Sequence, residues 1–325
     1  IYATLATVFL GLLGAAQVGV AGDYLLATAS TGGTYYPVGV ALSTLVKVKL
    51  HAKNGINLLA VNSAGSAENI RLLRDDEAQF ALLQALYGSY AWNGTGPFEK
   101  DGPQKGLRAI TMLWQDVEHF LVDSKHARTG TISDALALEG TAGFGKKLSG
   151  SLGSSRTIFA NLGTDIDTQF NLIYGGYGTL ADAMEDGKAD LIGTPAGVPV
   201  GAVSKLMAVQ RNSVQLLSFT EEQAAKADGG LGLWTPYVIP ENTYPGQSKP
   251  VKTVAQPNFL AVQAQVPEED VYQITKTIYE NLGFLGSIHK ATRDMSVEKA
   301  VTGLPLPLHP GAARYYRELG LEIPD

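Results

Sequence analysis

The chain has 325 residues, of which 45% are hydrophobic and 17% charged, and its formal net charge is −6 at pH 7. It contains no cysteine, which excludes disulfide frameworks, cysteine nucleophiles, thiolate metal sites and a lipidated N-terminal cysteine. The 25 Lys and Arg residues form no basic tract and are outnumbered by 31 Asp and Glu, so nucleic acid is not expected as a partner. This length is typical of about two domains.

The first 22 residues carry no charge. Thr7–Ala16 (TVFLGLLGAA) has the length of the apolar region of a secretory signal, and Gly19–Ala21 supplies the small residues of a cleavage site. We therefore predict that residues 1–21 are a signal peptide and that the protein is exported. The alternative is a membrane anchor, because the run approaches the ~20 residues that a spanning helix needs.

Short apolar runs alternate with polar loops and helical segments after the signal. The first three runs are Tyr24–Ala29, Ile56–Val61 and Phe80–Leu83. Each run ends at polar residues and is followed by a segment with a helical pattern. This alternation is typical of parallel βαβ units.

Two extended runs, His119–Ser124 and Asn258–Gln263, flank a second α/β set. Strand-like segments of that set are Gly140–Gly143, Gln169–Tyr174 and Ala189–Gly193. Hinged two-domain binding proteins are built in this way, with one lobe inserted into the other and two extended crossings between them. We therefore predict lobe 1 at residues 22–116 plus 257–325 and lobe 2 at residues 117–256.

Several kinds of chemistry find little support in the sequence. No two of the five histidines have the i,i+4 spacing of a metal site, and surface or helix-end positions are expected for all of them. Gly140–Lys147 (GTAGFGKK) fits a phosphate-binding loop, but Lys147 stands where Ser or Thr should bind Mg²⁺, and the preceding segment looks helical. Gly175–Gly178 lacks dinucleotide spacing, and no Gly-x-Ser-x-Gly elbow is present. No metal or cofactor is predicted.

Two polar loops stand out because each joins a strand to a helix. Ser30–Thr34 and Asn62–Ser66 place hydroxyls and unhindered backbone N–H groups just before a helix, with Thr34 and Ser66 as predicted N-caps. Helix starts attract anions, because their free amides and the helix dipole point the same way. Either loop alone could be no more than a helix cap. The ends of adjacent parallel strands meet at one sheet edge, however, where ligand sites of α/β proteins form.

Six short motifs follow one another along the chain. They are Ser30–Pro37 (STGGTYYP), Ser63–Asn69 (SAGSAEN), Asn93–Phe98 (NGTGPF), Leu107–Ile110 (LRAI), Thr243–Gln247 (TYPGQ) and Gly303–Tyr316 (GLPLPLHPGAARYY). In this order they resemble motifs of the TAXI family, the extracytoplasmic solute-binding proteins that serve TRAP transporters. The resemblance extends over nearly the whole exported chain.

This resemblance implies an α/β fold of the type II periplasmic binding protein kind, with two lobes joined by a hinge and a ligand cleft between them. It implies a periplasmic, monomeric receptor rather than an enzyme, which delivers its ligand to TRAP membrane subunits driven by an ion gradient. The ligand would be a small carboxylate or amino acid, such as glutamate or 2-oxoglutarate. Lobe 1 residues that the resemblance and the loops assign to the ligand are Ser30, Thr31, Gly32, Gly33, Thr34, Tyr35, Ser63, Gly65, Ser66 and Gln84. The motif around His309 is expected to be structural.

Lobe 2 departs from the family pattern. The family's Gly-Ser-Gly-Thr loop is matched at Ser155 and Thr157, whereas Arg156 replaces a glycine. We hypothesise that Arg156 lines the cleft and binds a ligand carboxylate in a forked geometry; the alternative is a solvated residue at a helix start. Thr194, in the loop Gly193–Gly197, is the other candidate, with a simple strand-to-helix turn as the alternative.

Two other functions are compatible with the same fold, a periplasmic ligand sensor and an enzyme that uses the binding cleft. An enzyme would need a titratable residue in that cleft. Neither polar loop of lobe 1 supplies one.

Overall fold

A computed structural model describes residues 22–210 and 213–323. The predicted signal peptide, residues 1–21, lies outside these described residues. The strands are β1 (Asp23–Ala27), β2 (Asn57–Val61), β3 (Phe80–Gln84), β4 (Leu107–Val117), β5 (Phe120–Asp123), β6 (Gly140–Gly143), β7 (Phe170–Ile173), β8 (Leu191–Gly193), β9 (Val214–Leu216), β10 (Thr235–Ile239) and β11 (Val251–Gln263).

The α-helices are α1 (Tyr35–Val46), α2 (Ala52–Asn54), α3 (Ser66–Arg74), α4 (Ala85–Asn93), α5 (Ile132–Leu136), α6 (Gly150–Asn161), α7 (Ile166–Gln169), α8 (Tyr177–Glu185), α9 (Gly201–Val209), α10 (Glu221–Ala227), α11 (Glu268–Tyr279), α12 (Leu282–Ile288) and α13 (Pro310–Glu318). Among the described residues, no helix combines the length and the hydropathy that a membrane crossing requires.

The large sheet has the strand order β2-β1-β3-β11-β4, and β10 pairs with the first half of β11. Strands β1, β2 and β3 are parallel, whereas β11 runs antiparallel to β3 and β4. Because β3 (FALLQ) is buried on both faces, helices cover the sheet on each side. Apolar residues of α1, α11 and α13 pack on one face, and those of α3 and α4 pack on the other. We call this unit the large-sheet lobe.

The small sheet has the strand order β7-β6-β8-β5-β9. Strand β6 is parallel to β7 and β8, whereas β5 is antiparallel to β8 and β9. A cluster of edge-on aromatic rings, which includes Phe120, Phe144 and Phe159, packs between this sheet and α6. Helices α8 and α9 cover the other face. We call this unit the small-sheet lobe.

The two sheets share one topology. In each, three parallel strands are followed by one antiparallel strand, β11 or β5, and then by an outer strand. The expected fold class, α/β with two lobes, is confirmed. The bounds that we predicted for the lobes, at residues 116/117 and 256/257, lie at the end of β4 and within β11 and stay a prediction.

The crossing between the lobes differs from the one predicted. The long strands β4 and β11 pair with each other and run from one lobe to the other. His119–Ser124 was expected to be a crossing, but it contains β5, which lies in the middle of the small sheet. The reason is that only two residues separate β4 from β5, so the crossing is the end of β4 itself.

The C-terminal motif has the structural role that was expected for it. The N–H of Gly311 donates to His309 Nδ1 at 3.2 Å, which caps α13, and His309 Nε2 lies 3.0 Å from the Val266 carbonyl oxygen. A β-carbon at Gly311 would lie 2.2 Å from the carbonyl oxygen of Glu268, so this glycine lets α13 approach α11. The motif therefore fixes the last helix on the large sheet.

Candidate ligand-binding site

A cavity lies between the two lobes. Its wall is built by loops around residues 29–35 and 64–66 of the large-sheet lobe and around 145–151, 175–177 and 195–196 of the small-sheet lobe. Gln84, at the end of β3, and Asp116, near the end of β4, complete the wall. A cleft lined by residues of two lobes is a typical place for a ligand site.

Four helices begin at this cavity. Helices α1 and α3 start at Tyr35 and Ser66, and helices α6 and α8 start at Gly150 and Tyr177. Each follows the carboxyl end of a parallel strand, which brings the helix starts of both lobes to one place. Because the first amides of a helix have no partner within it, the cavity faces backbone N–H donors from two sides.

One of the two predicted helix caps is confirmed and the other is wrong. Thr34 is the N-cap residue of α1, but its hydroxyl makes no cap bond and donates instead to the Gly197 carbonyl oxygen at 2.9 Å. The N-cap of α3 is Gly65 rather than Ser66, since the backbone there needs a φ of 124°, which favours glycine. The Ser66 hydroxyl accepts from the Gln84 backbone N–H at 3.1 Å.

The lobes are closed around the cavity. Hydrogen bonds that join them run from Thr34 to Gly197, from the Ala202 N–H to the Gly32 carbonyl, from Lys146 Nζ to the Ser63 carbonyl and from the Glu68 N–H to the Leu148 carbonyl. Glycine permits a close approach, because a β-carbon at Gly150 would lie 2.1 Å from Gln84 Oε1 and 2.8 Å from Ser66 Oγ. This is the arrangement that a hinged protein adopts around an enclosed ligand.

The structure brings most of the predicted lobe 1 residues to the cavity. Those that line it are Ser30, Gly33, Thr34, Tyr35, Gly65, Ser66 and Gln84. Three others lie beside it. Thr31 is exposed, Gly32 contacts the opposite lobe, and the Ser63 hydroxyl donates to the Thr28 carbonyl oxygen at 2.9 Å. Their part in binding stays a prediction.

The hypothesis that Arg156 lines the cleft is corrected by the structure. Its guanidinium makes two hydrogen bonds of 2.7 Å to Asp167, and its side chain is 43% exposed. Helix α6 starts at Gly150, so Arg156 lies in its second turn, away from the cavity. The start of α6, and not the matched motif, is what faces the ligand space.

The other three predicted residues of the small-sheet lobe also lie outside the cavity wall. Ser155 is buried within the lobe. The Thr157 hydroxyl donates to the Gly153 carbonyl oxygen at 3.0 Å and lies 3.3 Å from the Tyr90 hydroxyl. Thr194 is fully buried, and its N–H donates to the His119 carbonyl oxygen at 2.9 Å. Pro195 and Ala196, which follow it, do reach the cavity.

Among the residues of the cavity wall that the sequence analysis missed, three have titratable side chains. Asp116 is fully buried and accepts a hydrogen bond from the Gln84 side chain. Burial raises the pKa of Asp116 to about 6, and the bond from Gln84 offsets part of this rise. Lys146 and Tyr177 line the opposite side, where the Tyr177 hydroxyl donates to the Pro195 carbonyl oxygen at 2.6 Å. An acidic residue within the apolar run of β4 was the signal that could have pointed to Asp116.

Two further buried titratable groups, Glu118 and His119, follow Asp116 along the chain and lie outside the cavity wall. Glu118 accepts from the Ser154 hydroxyl and from Trp234 Nε1, and burial raises its pKa to about 8. His119 was expected at the surface or at a helix end, but it is buried beside Tyr244, whose hydroxyl lies 2.8 Å from Nε2. Burial lowers the pKa of His119 to about 4, so this imidazole is neutral at pH 7. In the described part of the chain, no three His, Asp or Glu residues are grouped as a metal site.

Solved structures that are similar to this one in three dimensions have low sequence identity to the chain. SsuA from Xanthomonas axonopodis pv. citri, an alkanesulfonate-binding protein bound to MOPS, is 13% identical over 91% of this chain and 83% of its own, with a TM-score of 0.46. A TctC solute-binding protein from Polaromonas is 15% identical over 92% and 97%, with a TM-score of 0.48. The GluR0 ligand-binding core from Nostoc punctiforme, in complex with L-glutamate, is 12% identical over 84% and 100%, with a TM-score of 0.47. Similarities at this level identify no ligand.

The sequence itself matches a family over most of its length. Residues 26–320 fit the model of the NMT1-like family, and this span includes both lobes and every residue of the cavity wall. The chain belongs to the NMT1-like family.

Proposed function

We propose that this protein is an extracytoplasmic solute-binding receptor that encloses a small carboxylate between its lobes. The observation that carries this proposal is the cavity between the lobes, where four helix starts and Lys146 present N–H donors to one space. Such donors stabilise an anion without reacting with it. The six motifs that resemble the TAXI family support delivery to the membrane subunits of a TRAP-type secondary transporter. We further propose that the receptor acts in the periplasm as a monomer, after export by the signal peptide at residues 1–21.

A thermal-shift screen against amino acids, 2-oxo acids, dicarboxylates and uncharged sugars tests the ligand class. A ligand at 100 times its Kd stabilises the protein by about 2.7 kcal/mol, which is readily detected. We expect carboxylates to raise the melting temperature. A shift with sugars alone would contradict the proposal.

Small-angle scattering tests the closing of the lobes. Ligand binding selects the closed form, so the radius of gyration should fall when a stabilising carboxylate saturates the protein. An unchanged radius at saturation speaks against a hinged receptor. The ligand should also be recovered chemically unchanged after release, whereas a new product would favour an enzyme.

The transporter type is tested by uptake into vesicles that contain the cognate membrane subunits. We expect uptake to require this protein and an ion gradient, and to proceed without ATP. Uptake that depends on ATP would exclude a TRAP partner and leave the receptor function in place.

A further inference from the structure

Asp116 is an acid in the cavity wall with no cationic partner. Its carboxylate is buried and accepts from the neutral amide of Gln84, and no Lys, Arg or His of the described chain lies within 4.0 Å of it. The titratable groups that face it are Tyr35 of α1, Tyr177 of α8 and Glu118 of its own strand. A buried carboxylate is costly unless a positive group or a proton compensates it.

A second acceptor lies next to this carboxylate. Gln84 donates its amide N–H to Asp116, and its Oε1 is buried without any hydrogen-bond partner in the described chain. A β-carbon at Gly150 would lie 2.1 Å from this oxygen, which therefore packs against the start of α6. The Asp116 carboxylate is thus the acceptor that the cavity wall offers here to a group with several N–H donors.

The opposite charge is present at another part of the same wall. Lys146 Nζ donates to the Ser63 carbonyl oxygen at 3.2 Å, and no carboxylate of the described residues lies within 4.0 Å of it. Together with the helix starts, Lys146 supplies positive potential. The cavity thus holds one acidic and one basic group, neither of which is paired with the other.

We propose that the ligand is a small zwitterion, an α-amino acid, whose ammonium group binds Asp116 while its carboxylate faces Lys146 and the helix starts. This inference rests on the proposed function and makes it more specific. The ammonium group replaces the missing partner of Asp116. A ligand with carboxylates and no nitrogen would instead bring a like charge to this end of the cavity.

Matched pairs of ligands that differ only at this nitrogen test the inference. Titration calorimetry at pH 8 would compare L-glutamate with 2-oxoglutarate, L-alanine with pyruvate, and L-leucine with 4-methyl-2-oxopentanoate. In the pair that fits the cavity, we expect the amino acid to bind at least about tenfold more tightly, because a hydrogen bond to a buried charge is lost in its 2-oxo analogue. Equal or tighter binding of the 2-oxo acid in every pair that binds would overturn the inference but not the proposed function. If no member of any pair binds and no carboxylate of the thermal-shift screen stabilises the protein, the small-carboxylate function itself is contradicted.

The variant Asp116→Asn assigns the effect to this residue. We expect it to lose at least about tenfold in affinity for the amino acid and to gain affinity for the 2-oxo acid, because the like charge is removed from the cavity wall. Asp75→Asn, which changes an exposed acid at the end of α3, is the control and should bind like the wild type. An unchanged amino-acid affinity in Asp116→Asn would overturn the inference.

The pH dependence of ligand binding by the wild-type protein provides a test that needs no variant. Amino-acid affinity should rise as Asp116 ionises between about pH 5 and pH 7, whereas affinity for a 2-oxo acid should fall. Burial keeps the pKa of Tyr35 and Tyr177 well above this window, so neither tyrosine ionises in it. An amino-acid affinity that falls as the pH rises would contradict the inference.

Discussion

Glu118 shows how the environment of one side chain makes the stability of this protein depend on pH. It is fully buried, one of its oxygens has no partner among the described residues, and burial beside Asp116 raises its pKa from 4.5 to about 8. The folded state therefore binds the proton more tightly than the unfolded chain does. The contribution of Glu118 to the free energy of unfolding is therefore greatest below about pH 4.5, and it is lost as the pH rises through 8.

The variant Glu118→Gln should remove this dependence. Since the amide is neutral at every pH, we expect the variant to gain stability relative to the wild type between about pH 5 and pH 9, by on the order of a few kcal/mol. Urea unfolding at both pH values measures the difference. Glu99→Gln, at an exposed site, is the control. Parallel pH profiles of Glu118→Gln and the wild type would show that Glu118 ionises normally.

The charge of Arg156 is expected to contribute little to ligand binding. Its guanidinium is engaged by Asp167 outside the cavity. We expect Arg156→Ala to keep the ligand Kd within about twofold and to lose at most about 1 kcal/mol of stability, because partly exposed ion pairs contribute little. Calorimetry with the best ligand of the screen checks this. A tenfold loss of affinity would show that Arg156 contacts the ligand in the cleft.

At the scale of elements, the start of α6 controls how closely the lobes approach. Gly150 faces Gln84 and Ser66 across the cavity at distances that leave no room for a side chain. The same contacts do not exist when the lobes are apart. A substitution here should therefore affect the closed form more than the fold.

The variant Gly150→Ala should weaken ligand binding at least about tenfold while the melting temperature of the ligand-free protein stays within a few degrees of the wild type. The added β-carbon clashes only in the closed form, and a ligand binds more weakly when that form is rarer. Gly283→Ala is a suitable control, since nothing lies within 4 Å of its added carbon. Wild-type affinity in Gly150→Ala would mean that the ligand is bound without this approach.

Prediction from sequence succeeded where polar residues end a strand and failed where the site depends on tertiary structure. The loops at Ser30–Thr34 and Asn62–Ser66 are visible because polar residues interrupt apolar runs. Asp116 was missed because its place in the wall follows from the crossing of β4 and β11, which no local pattern reveals. In the small-sheet lobe, the match to a family motif drew attention to residues 155–157, although Ser149, which caps α6, marks the helix start earlier.

At the scale of the whole molecule, hydrogen bonds away from the cavity also hold the lobes together. The hydroxyl of Tyr90 on α4 lies 3.3 Å from that of Thr157 on α6, and neither residue lines the cavity. Such a bond can change ligand affinity only through the balance between open and closed forms.

The variant Tyr90→Phe should therefore bind ligand more weakly by up to about fivefold, since a hydrogen bond contributes about 1 kcal/mol. Scattering from the ligand-free variant should give a larger radius of gyration than the wild type. Tyr272→Phe breaks a bond to Glu318 within the large-sheet lobe and should change neither quantity. Identical affinity and radius in Tyr90→Phe would mean that this contact does not hold the lobes together.

The place of β11 has a consequence for the order in which the protein folds. All five strands of the small sheet lie between residues 120 and 216, so they leave the ribosome or the export channel before β11 does. In the large sheet, β3 and β4 are not neighbours and are joined only through β11, which ends at Gln263. Until that residue is available, both strands present unpaired edges that invite association with other chains. The large-sheet lobe, which contains the first strand of the chain, is therefore completed after the small-sheet lobe.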